Sequence, residues 1–395
     1  MADGRVRSLD AMRGLAAVSV VLSHYVLVVA HAGRRRYEYA SHWLRWFSET
    51  PLGLLWAGRA AVLFFFVLSG YVLFIMLERS SLGYWTYLKK RIARLYIPYL
   101  VAIGLGIAGA AFLYAKPLQG LGPWINKFWS WPPSTGPVVD HVGFVDAFNS
   151  DRYDFTIWTL VQEMRISLIF PLLALWIRRF SWQVAWLPFA FAAAGAVLLR
   201  GVAQSMGGDW SGFVMGGGLT AYSATVYYLA PFALGALLAC HRDAVRRRYC
   251  ALPSYARIGI VVSAFALYFY APRALAAFGD HRMLVHDWPV MIGAALGLVV
   301  VAYEASIKRF FERRSFQYLG RISYSLYLFH PLVLLAALHI FYGRIALAPL
   351  LGLTFAATIL ISDLAYRWIE RPAAQIARRF GEGFVSDGPG ISSAD

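Results

Sequence analysis

Ten runs of about 20 mainly apolar residues follow one another along the chain, and no other feature limits its possible folds so strongly. A run of this length crosses a bilayer as an α-helix, because a helix satisfies its backbone hydrogen bonds within one segment. The residues are 59% hydrophobic and only 15% charged, too few polar groups to cover a soluble globule. The sequence therefore predicts an all-α, polytopic integral membrane protein. The ten predicted spans lie near residues 12–30, 58–77, 96–115, 156–177, 182–200, 221–240, 256–272, 288–304, 323–342 and 347–369.

The segments between the spans predict a single transmembrane domain. The longest, roughly residues 116–155, has the size of a loop, and no repeat of fixed period is present. We expect the domain to cover residues 1–375 and a cytoplasmic, disordered tail rich in Gly, Ser and Asp to cover 376–395. A rival interpretation takes residues 1–32 as a cleaved signal peptide that ends in the small residues of "AHA". A histidine within its apolar region argues against that interpretation.

The net charge of +16 bears on orientation. In a chain this apolar, basic residues mark cytoplasmic loops more often than contacts with nucleic acid, so no nucleic-acid partner is expected. With both termini cytoplasmic, lysines and arginines favour the cytoplasmic side by about two to one, although Arg34–Arg36 falls outside. We expect a multi-pass protein of the inner (plasma) membrane. Cys240 and Cys250 form no disulfide or metal framework, and neither a metal nor a tightly bound cofactor is expected.

Two ionisable residues of the first span are the leading candidates for chemistry, since such groups inside a membrane usually face the bundle interior or water. Arg13 and His24 are eleven residues apart, which places them on one helix face, separated by about 16 Å along the axis. Asp10 lies within i,i+3 reach of Arg13. The alternative is structural: a buried histidine bonded to a neighbouring helix, and an arginine that reaches the headgroups. The residues alone leave both possibilities open.

Four cations follow the second span, at the predicted cytoplasmic face. Guanidinium groups make paired, charge-assisted hydrogen bonds to phosphates, so the cluster suits a phosphate-bearing ligand. Anchoring of the helix by its positive charges explains the same pattern. The four residues are Lys89, Lys90, Arg91 and Arg94.

Further polar residues lie in three spans. In "FTIWTLVQEMRISLIFP" (155–171), Glu163 either neutralises an arginine or accepts hydrogen bonds from a polar substrate. The Ser-Gly of "AVLFFFVLSGYVLF" (61–74) is typical of close helix packing. The candidates of these stretches and of "GRISYSLYLFHPLVLL" (320–335) are Ser69, Trp158, Glu163, Arg165, Tyr324 and His330.

Together these stretches resemble the integral membrane acyltransferases called acyltransferase family 3. Six motifs occur in the family's order: "LDAMRGLAAVSVVLSHY", "FFVLSGYVLF", "RIARLYIPY", "IWTLVQE", "SYSLYLFHP" and "ERP". The likeness covers about residues 7 to 372. One departure is the run from Glu163 to Ile166, where many members continue Glu-Glu-Gln-Phe-Tyr.

The resemblance implies an enzyme that moves an acyl group, acetyl above all, from cytoplasmic acyl-CoA to a hydroxyl of an exported or cell-surface glycan or lipid-linked carbohydrate. A macrolide-like natural product is an alternative acceptor. By position, His24 corresponds to the family's essential histidine, and Arg13, Arg91 and Arg94 correspond to its essential cations. Trp158 and Glu163 correspond to the element of the fourth span.

On this interpretation His24 is the general base, since an imidazole titrates near pH 7. Arg13, with Asp10 beside it, joins the catalytic group and also helps to hold the donor. Arg91, Arg94, Lys89 and Lys90 bind the CoA phosphates at the cytoplasmic face. Trp158, Glu163 and acidic residues of the outer loop meet the acceptor from the other side; these acidic residues are Asp140, Asp146, Asp151 and Asp154.

Two alternatives remain open. Transient acylation of His24 would serve the same transfer. From a different class, a transporter or flippase would also have about ten spans and buried charges. That class predicts inverted repeats or paired discontinuous helices, and the sequence shows neither.

Overall fold

The computed structural model of the chain describes residues 7–31, 42–79, 83–114, 117–145, 148–149, 152–180, 184, 186–205, 219–275 and 282–382. Helices account for nearly all of these ranges, and none of their residues lies in a β-strand. The predicted all-α, polytopic membrane architecture is confirmed.

Ten long helices, called spans 1 to 10, occupy the predicted positions. Within the described ranges, nine are long and apolar enough to cross a bilayer, and span 5 is the remaining helix. Spans 1 to 6 are Arg7–His31, Gly58–Arg79, Tyr84–Leu113, Ile157–Arg179, Leu187–Ser205 and Leu219–Cys240. Span 7 is Ser254–Phe265, continued by a π turn, Ala266–Tyr270, and by Ala271–Leu275; spans 8 and 9 are Arg282–Tyr303 and Arg314–Phe341. Span 10 is Leu347–Ala365, continued by a π turn, Tyr366–Glu370, and by Arg371–Glu382.

Shorter helices connect the spans at both ends of the bundle. They are His42–Glu49, Pro51–Trp56 (a 3₁₀-helix), Pro123–Asn126, Thr135–Gly143, Arg242–Ala251 and Ala305–Phe311.

The basic connecting segments lie at one end of the bundle, which is called the basic face. Ser8, in the first turn of span 1, donates a hydrogen bond to the carbonyl of Val301 near the end of span 8 (3.0 Å). Arg242, just after span 6, forms an ion pair with Glu78 at the end of span 2 (2.6 Å). Consecutive spans therefore alternate in direction, and the opposite end is called the outer face.

Spans 1 and 9 cross at close range because each has a glycine at the crossing point. A Cβ atom at Gly14 would overlap the backbone of Gly320, and one at Gly320 would overlap the carbonyl of Asp10. Small residues are the usual means by which membrane helices approach closely. This crossing fixes the relative position of the two helices that carry His24 and His330.

The outside of the bundle is apolar, as a lipid-facing surface requires. Phe112, Leu172 and Phe191 retain 86%, 70% and 69% of their surface. In water such a surface would be a large exposed apolar patch, whereas in a bilayer it faces hydrocarbon.

The segment between spans 3 and 4 packs against the outer half of the bundle and is far more ordered than a simple surface loop. Tyr99 of span 3 donates a hydrogen bond to the carbonyl of His141 (2.8 Å), and Trp129 donates one from Nε1 to the carbonyl of Tyr153 (3.1 Å). Several of its aromatic side chains are buried, among them Phe128 and Phe155.

Two predictions concern the ends of segments. The predicted tail boundary at 376 is wrong, because the helix Arg371–Glu382 continues past it. Regularly spaced apolar residues, Ile376 and Phe380 among arginines, explain the continuation. Residues 383–395 and Arg34–Arg36 lie outside the described residues.

Candidate active site

Two histidines from opposite ends of the sequence meet inside the bundle. His24 of span 1 and His330 of span 9 approach to 3.1 Å between Nδ1 and Nε2. His330 is fully buried, and His24 keeps part of its surface accessible. The sequence predicted His24 as a candidate for chemistry but did not pair it with His330.

The hydrogen bonds of the pair assign its protons. Nδ1 of His330 lies 3.1 Å from the carbonyl of Leu326, which can only accept, so this nitrogen carries the hydrogen. In a neutral ring Nε2 of His330 is then an acceptor, and Nδ1 of His24 donates to it. His24 also bonds the backbone of Val20, four residues earlier in span 1, and a carbonyl at that position is in reach of Nδ1. With Nδ1 carrying the hydrogen, the lone pair of His24 lies on Nε2. A free basic nitrogen at a fixed position is what a general base requires.

Aromatic rings enclose His24 toward the outer face. Trp124 stacks on the imidazole, with ring centroids 5.9 Å apart and an angle of 7° between the planes. Phe155 lies 4.7 Å from the imidazole and also packs on Trp124 and Phe128. These three residues, Trp124, Phe128 and Phe155, are called the aromatic roof and come from the segment between spans 3 and 4.

Arg13 lies nearer the basic face, about 16 Å from His24 along span 1. Its guanidinium donates to Oγ of Ser323 (2.8 Å) and to the carbonyl of Gly320 (3.2 Å), and Asp10 is 3.6 Å away. Arg13 is thus held against span 9 and does not extend to the headgroups. The structure confirms the i,i+3 proximity of Asp10 and Arg13.

Arg91 and Glu163 form a buried ion pair between spans 3 and 4, with 2.8 Å between Nη2 and Oε1. Arg91 also donates to Oγ of Ser167 (3.1 Å), and Ser69 of span 2 lies 3.4 Å from the same carboxylate. The predicted positions were different, with Arg91 at the cytoplasmic surface and Glu163 toward the outer loops. The pairing explains the change, because a buried charge needs an opposite charge beside it.

Arg94, one turn after Arg91, retains an exposed side chain within this charged region. Its electrostatic neighbours are Arg13, Arg91, Glu163 and Glu370. In the part of the chain that the structure describes, its guanidinium has no hydrogen bond and no ion pair within 4 Å. It is therefore the cation best placed to receive an anionic ligand.

Two C-terminal motifs meet at the same level. Glu370, of the "ERP" motif, accepts hydrogen bonds from the backbone nitrogen (3.2 Å) and Oγ (2.7 Å) of Ser325. Tyr324 donates its hydroxyl to the carbonyl of Leu95, one residue after Arg94 (3.0 Å). The ionisable side chains at this level are together called the charged layer. They are Arg13, Arg91, Arg94, Glu163 and Glu370. Lys89 is exposed and Lys90 half-buried, one turn nearer the basic face.

Trp158 and Arg165 do not reach the histidine pair directly. Trp158 packs on Tyr228 and Phe66, with centroids 5.6 and 6.5 Å away. Arg165 is buried and donates to the carbonyls of Val145 (2.8 Å) and Ala221 (3.2 Å). Its role in this structure is to join span 4 to span 6 and to the outer segment.

Two polar sites lie in the outer half. The sequence predicted that Asp154, in the second of them, meets the acceptor, and its burial contradicts that prediction. Asp146 and Asp151 lie outside the described residues. Arg59 forms an ion pair with Asp287, and the hydroxyl of Tyr227 donates to the same carboxylate (3.0 Å). Asp154 is fully buried beside Thr156, and its Oδ2 has no hydrogen-bond partner. Burial raises the pKa of Asp154 to about 7. Among the described residues, no group of three or more His, Cys, Asp or Glu could hold a metal ion.

Comparison with known proteins gives one match. The sequence model of the acyltransferase domain of family 3 matches residues 6–367, which is most of the chain. No curated protein and no solved structure matches the chain.

Proposed function

The chain belongs to the integral membrane acyltransferases of family 3, and on that premise we propose that it transfers an acyl group, acetyl above all, from cytoplasmic acyl-CoA to a carbohydrate hydroxyl. The acceptor is an exported or cell-surface glycan or a lipid-linked sugar, and the location is the inner (plasma) membrane. The observation that carries the proposal is the hydrogen-bonded pair of His24 and His330 beyond the charged layer.

His24 acts as the general base through Nε2. This nitrogen takes the proton of the acceptor hydroxyl while the oxygen forms a bond to the thioester carbonyl carbon. The carbon–sulfur bond then breaks, and the leaving CoA thiolate takes the proton from His24. His330 keeps the Nδ1–H of His24 occupied, which holds the ring in place and supports the positive charge that it gains during transfer.

The donor enters from the basic face. Arg13 lies about 16 Å before His24 along span 1, and Arg94 is its electrostatic neighbour. Lys89 and Lys90 lie nearer the entrance. An extended pantetheine arm bridges a separation of this kind, so the phosphates stay with the cations while the thioester reaches His24. Arg91 supports the site indirectly, because its guanidinium is already bound by Glu163.

The test is transfer of label from acetyl-CoA by the purified full chain in proteoliposomes, with extracted surface glycans as acceptors and macrolide-type compounds as the alternative. His24→Ala should abolish transfer while the protein inserts and folds normally. His339→Ala is the matched control, since His339 is on the helix of His330 but packs on Trp129. Retained activity in His24→Ala would overturn the base assignment. Label that crosses the membrane without cleavage of the thioester would instead indicate a transporter.

His330 is a positioning residue in this scheme and needs its own test. His330→Ala should lower kcat about 100-fold, a typical contribution of acid–base chemistry, with little change in KM. His330→Gln keeps an acceptor near the position of Nε2 and should recover part of that loss. Equal losses in the two variants would indicate that the histidine only fills space.

A further inference from the structure

A polar cavity opens at the basic face, between spans 9 and 10. Its volume is about 550 Å³, comparable to a small-ligand site. Three arginines, two tyrosines and one aspartate line it: Tyr318, Arg321, Asp363, Tyr366, Arg367 and Arg371. The proposed transfer reaction assigns no role to any of them.

The cavity has an excess of positive charge. Arg367 forms an ion pair with Asp363, with 2.6 Å between Nη2 and Oδ2. Arg321 and Arg371 are exposed, and in the described ranges neither makes a hydrogen bond or an ion pair. Two guanidinium groups therefore remain for an anion, and guanidinium matches the geometry of phosphate oxygens.

The π turn Tyr366–Glu370 separates this cavity from the charged layer. It directs Glu370 inward to Ser325, whereas Arg367 and Arg371 line the cavity on the other side of the helix. π turns of this kind are frequent at functional sites. The cavity is thus adjacent to the donor site but distinct from it.

Exposed apolar side chains lead from the cavity toward the middle of the bilayer. Leu353 and Leu360 precede Arg367 at intervals of seven residues, so all three lie on one stripe of span 10. The two leucines retain 63% and 62% of their surface, and Trp368 beside the cavity retains 72%. An arginine pocket at the membrane surface with an apolar track below it matches the two parts of a phospholipid.

We propose that this cavity binds the phosphate of an anionic phospholipid headgroup, with the acyl chains along Leu353 and Leu360. Anionic lipids attract basic groups at the cytoplasmic leaflet, where the charge bias places this face. Arg321 and Arg371 hold the phosphate oxygens, and the hydroxyl of Tyr366 adds a hydrogen-bond donor, since that of Tyr318 is bound to Asp363. The site does not depend on the proposed transfer reaction.

The test uses the full chain in nanodiscs of phosphatidylcholine, with or without phosphatidylglycerol. Phosphatidylglycerol should raise the Tm of the wild type, because a ligand of the folded state stabilises it. Native mass spectrometry should show the lipid retained by the protein. The double variant R321Q/R371Q should lose both effects, whereas R378Q/R379Q, which removes two exposed arginines of the same terminal helix, should keep them.

Loss of both effects in R321Q/R371Q alone supports the proposal, and equal behaviour of the two double variants overturns it. A second arm adds CoA or inorganic phosphate in pure phosphatidylcholine discs. If R321Q/R371Q loses stabilisation by those compounds but keeps the effect of phosphatidylglycerol, the cavity binds a soluble phosphate and the lipid proposal is wrong. The variant R321K/R371K keeps both positive charges. If it retains part of the lipid, the loss of binding in R321Q/R371Q is due to the loss of charge.

Discussion

At the residue scale, Arg91 and Arg94 are equivalent in the sequence but differ in the structure. Arg91 is bound within the protein by Glu163 and Ser167, whereas Arg94 keeps a free, exposed guanidinium in the described structure. We therefore expect the two arginines to contribute to different properties, Arg91 to stability and Arg94 to binding of the proposed donor.

Arg94→Gln should raise the KM for acyl-CoA about 10- to 100-fold, the loss of one hydrogen bond to a charged group, and should leave the Tm nearly unchanged. Arg91→Gln should lower the Tm, because the partly buried Glu163 carboxylate loses its ion pair and keeps only the contact with Ser69. Steady-state kinetics and thermal unfolding in detergent measure both. The opposite assignment of effects would show that Arg91 is the donor contact.

Asp154 predicts a pH dependence of stability. Burial raises the pKa of its carboxyl from 3.8 to about 7, so the folded state binds this proton more tightly than the unfolded state. Stability therefore falls as the pH rises from about 4 to about 7, by about 4 kcal/mol over the interval, and is constant above it.

Asp154→Asn keeps a neutral group at this position and should remove that part of the pH dependence. The measurement is the change in Tm between about pH 5 and about pH 8, in wild type and variant. Asp140→Asn, at an exposed site of the same segment, is the control and should behave as the wild type does. An unchanged slope in Asp154→Asn would show that the carboxyl is ionised in the folded protein.

The residue-scale predictions from sequence were correct where a single helix fixes the geometry. The spacing of Asp10, Arg13 and His24 is a property of one helix, and the structure reproduces it. The partner of Arg91 is 72 residues away and that of His24 is 306 residues away. Such contacts depend on how helices pack. The sequence alone does indicate that a carboxylate within a span, such as Glu163, needs a cation near it.

At the scale of elements, the crossing of spans 1 and 9 sets the distance between His24 and His330. Gly14→Ala should destabilise the fold by about 1 to 3 kcal/mol, because the added methyl overlaps the backbone at Gly320. Gly104→Ala is the matched control: a methyl added there would have no neighbouring atom within 4 Å, and alanine favours a helix. Thermal unfolding and transfer activity should both decrease in Gly14→Ala only. A normal Tm in that variant would contradict the tight crossing.

The lengths of the apolar runs predicted where the spans lie. They did not predict the start of span 3 or the packing of the segment between spans 3 and 4. Span 3 begins at Tyr84 rather than near residue 96, because the basic stretch from Lys89 to Arg94 continues the helix. The segment between spans 3 and 4 resembles a loop in length, yet its tryptophans and phenylalanines are mostly buried. A high aromatic content is the signal that distinguishes such a packed segment from a solvated loop.

At the scale of the whole molecule, the orientation in the membrane rests on the distribution of charge, and a native cysteine tests it. Cys250 is exposed on the helix Arg242–Ala251 of the basic face. A membrane-impermeant maleimide should label it in inside-out vesicles and not in intact cells.

The control places a cysteine at the other end of the bundle. The variant W131C/C240S/C250S has a single cysteine in place of Trp131, which is 71% exposed and lies between the two short helices of the outer segment. That variant should be labelled in intact cells, and the reverse pattern would invert the topology.

The number and order of spans follow from composition, whereas the folded outer segment depends on contacts that composition does not specify.

The aromatic roof has a consequence for the bilayer as a whole. Titratable side chains extend from the basic face through the charged layer to the histidine pair, deep inside the membrane. A continuous hydrogen-bonded chain of such groups and water molecules would conduct protons down the membrane potential. Trp124, Phe128 and Phe155 interrupt that chain on the outer side of His24. If His24 is the base, as proposed, the aromatic roof allows it to lie within the bilayer while the membrane remains an electrical insulator.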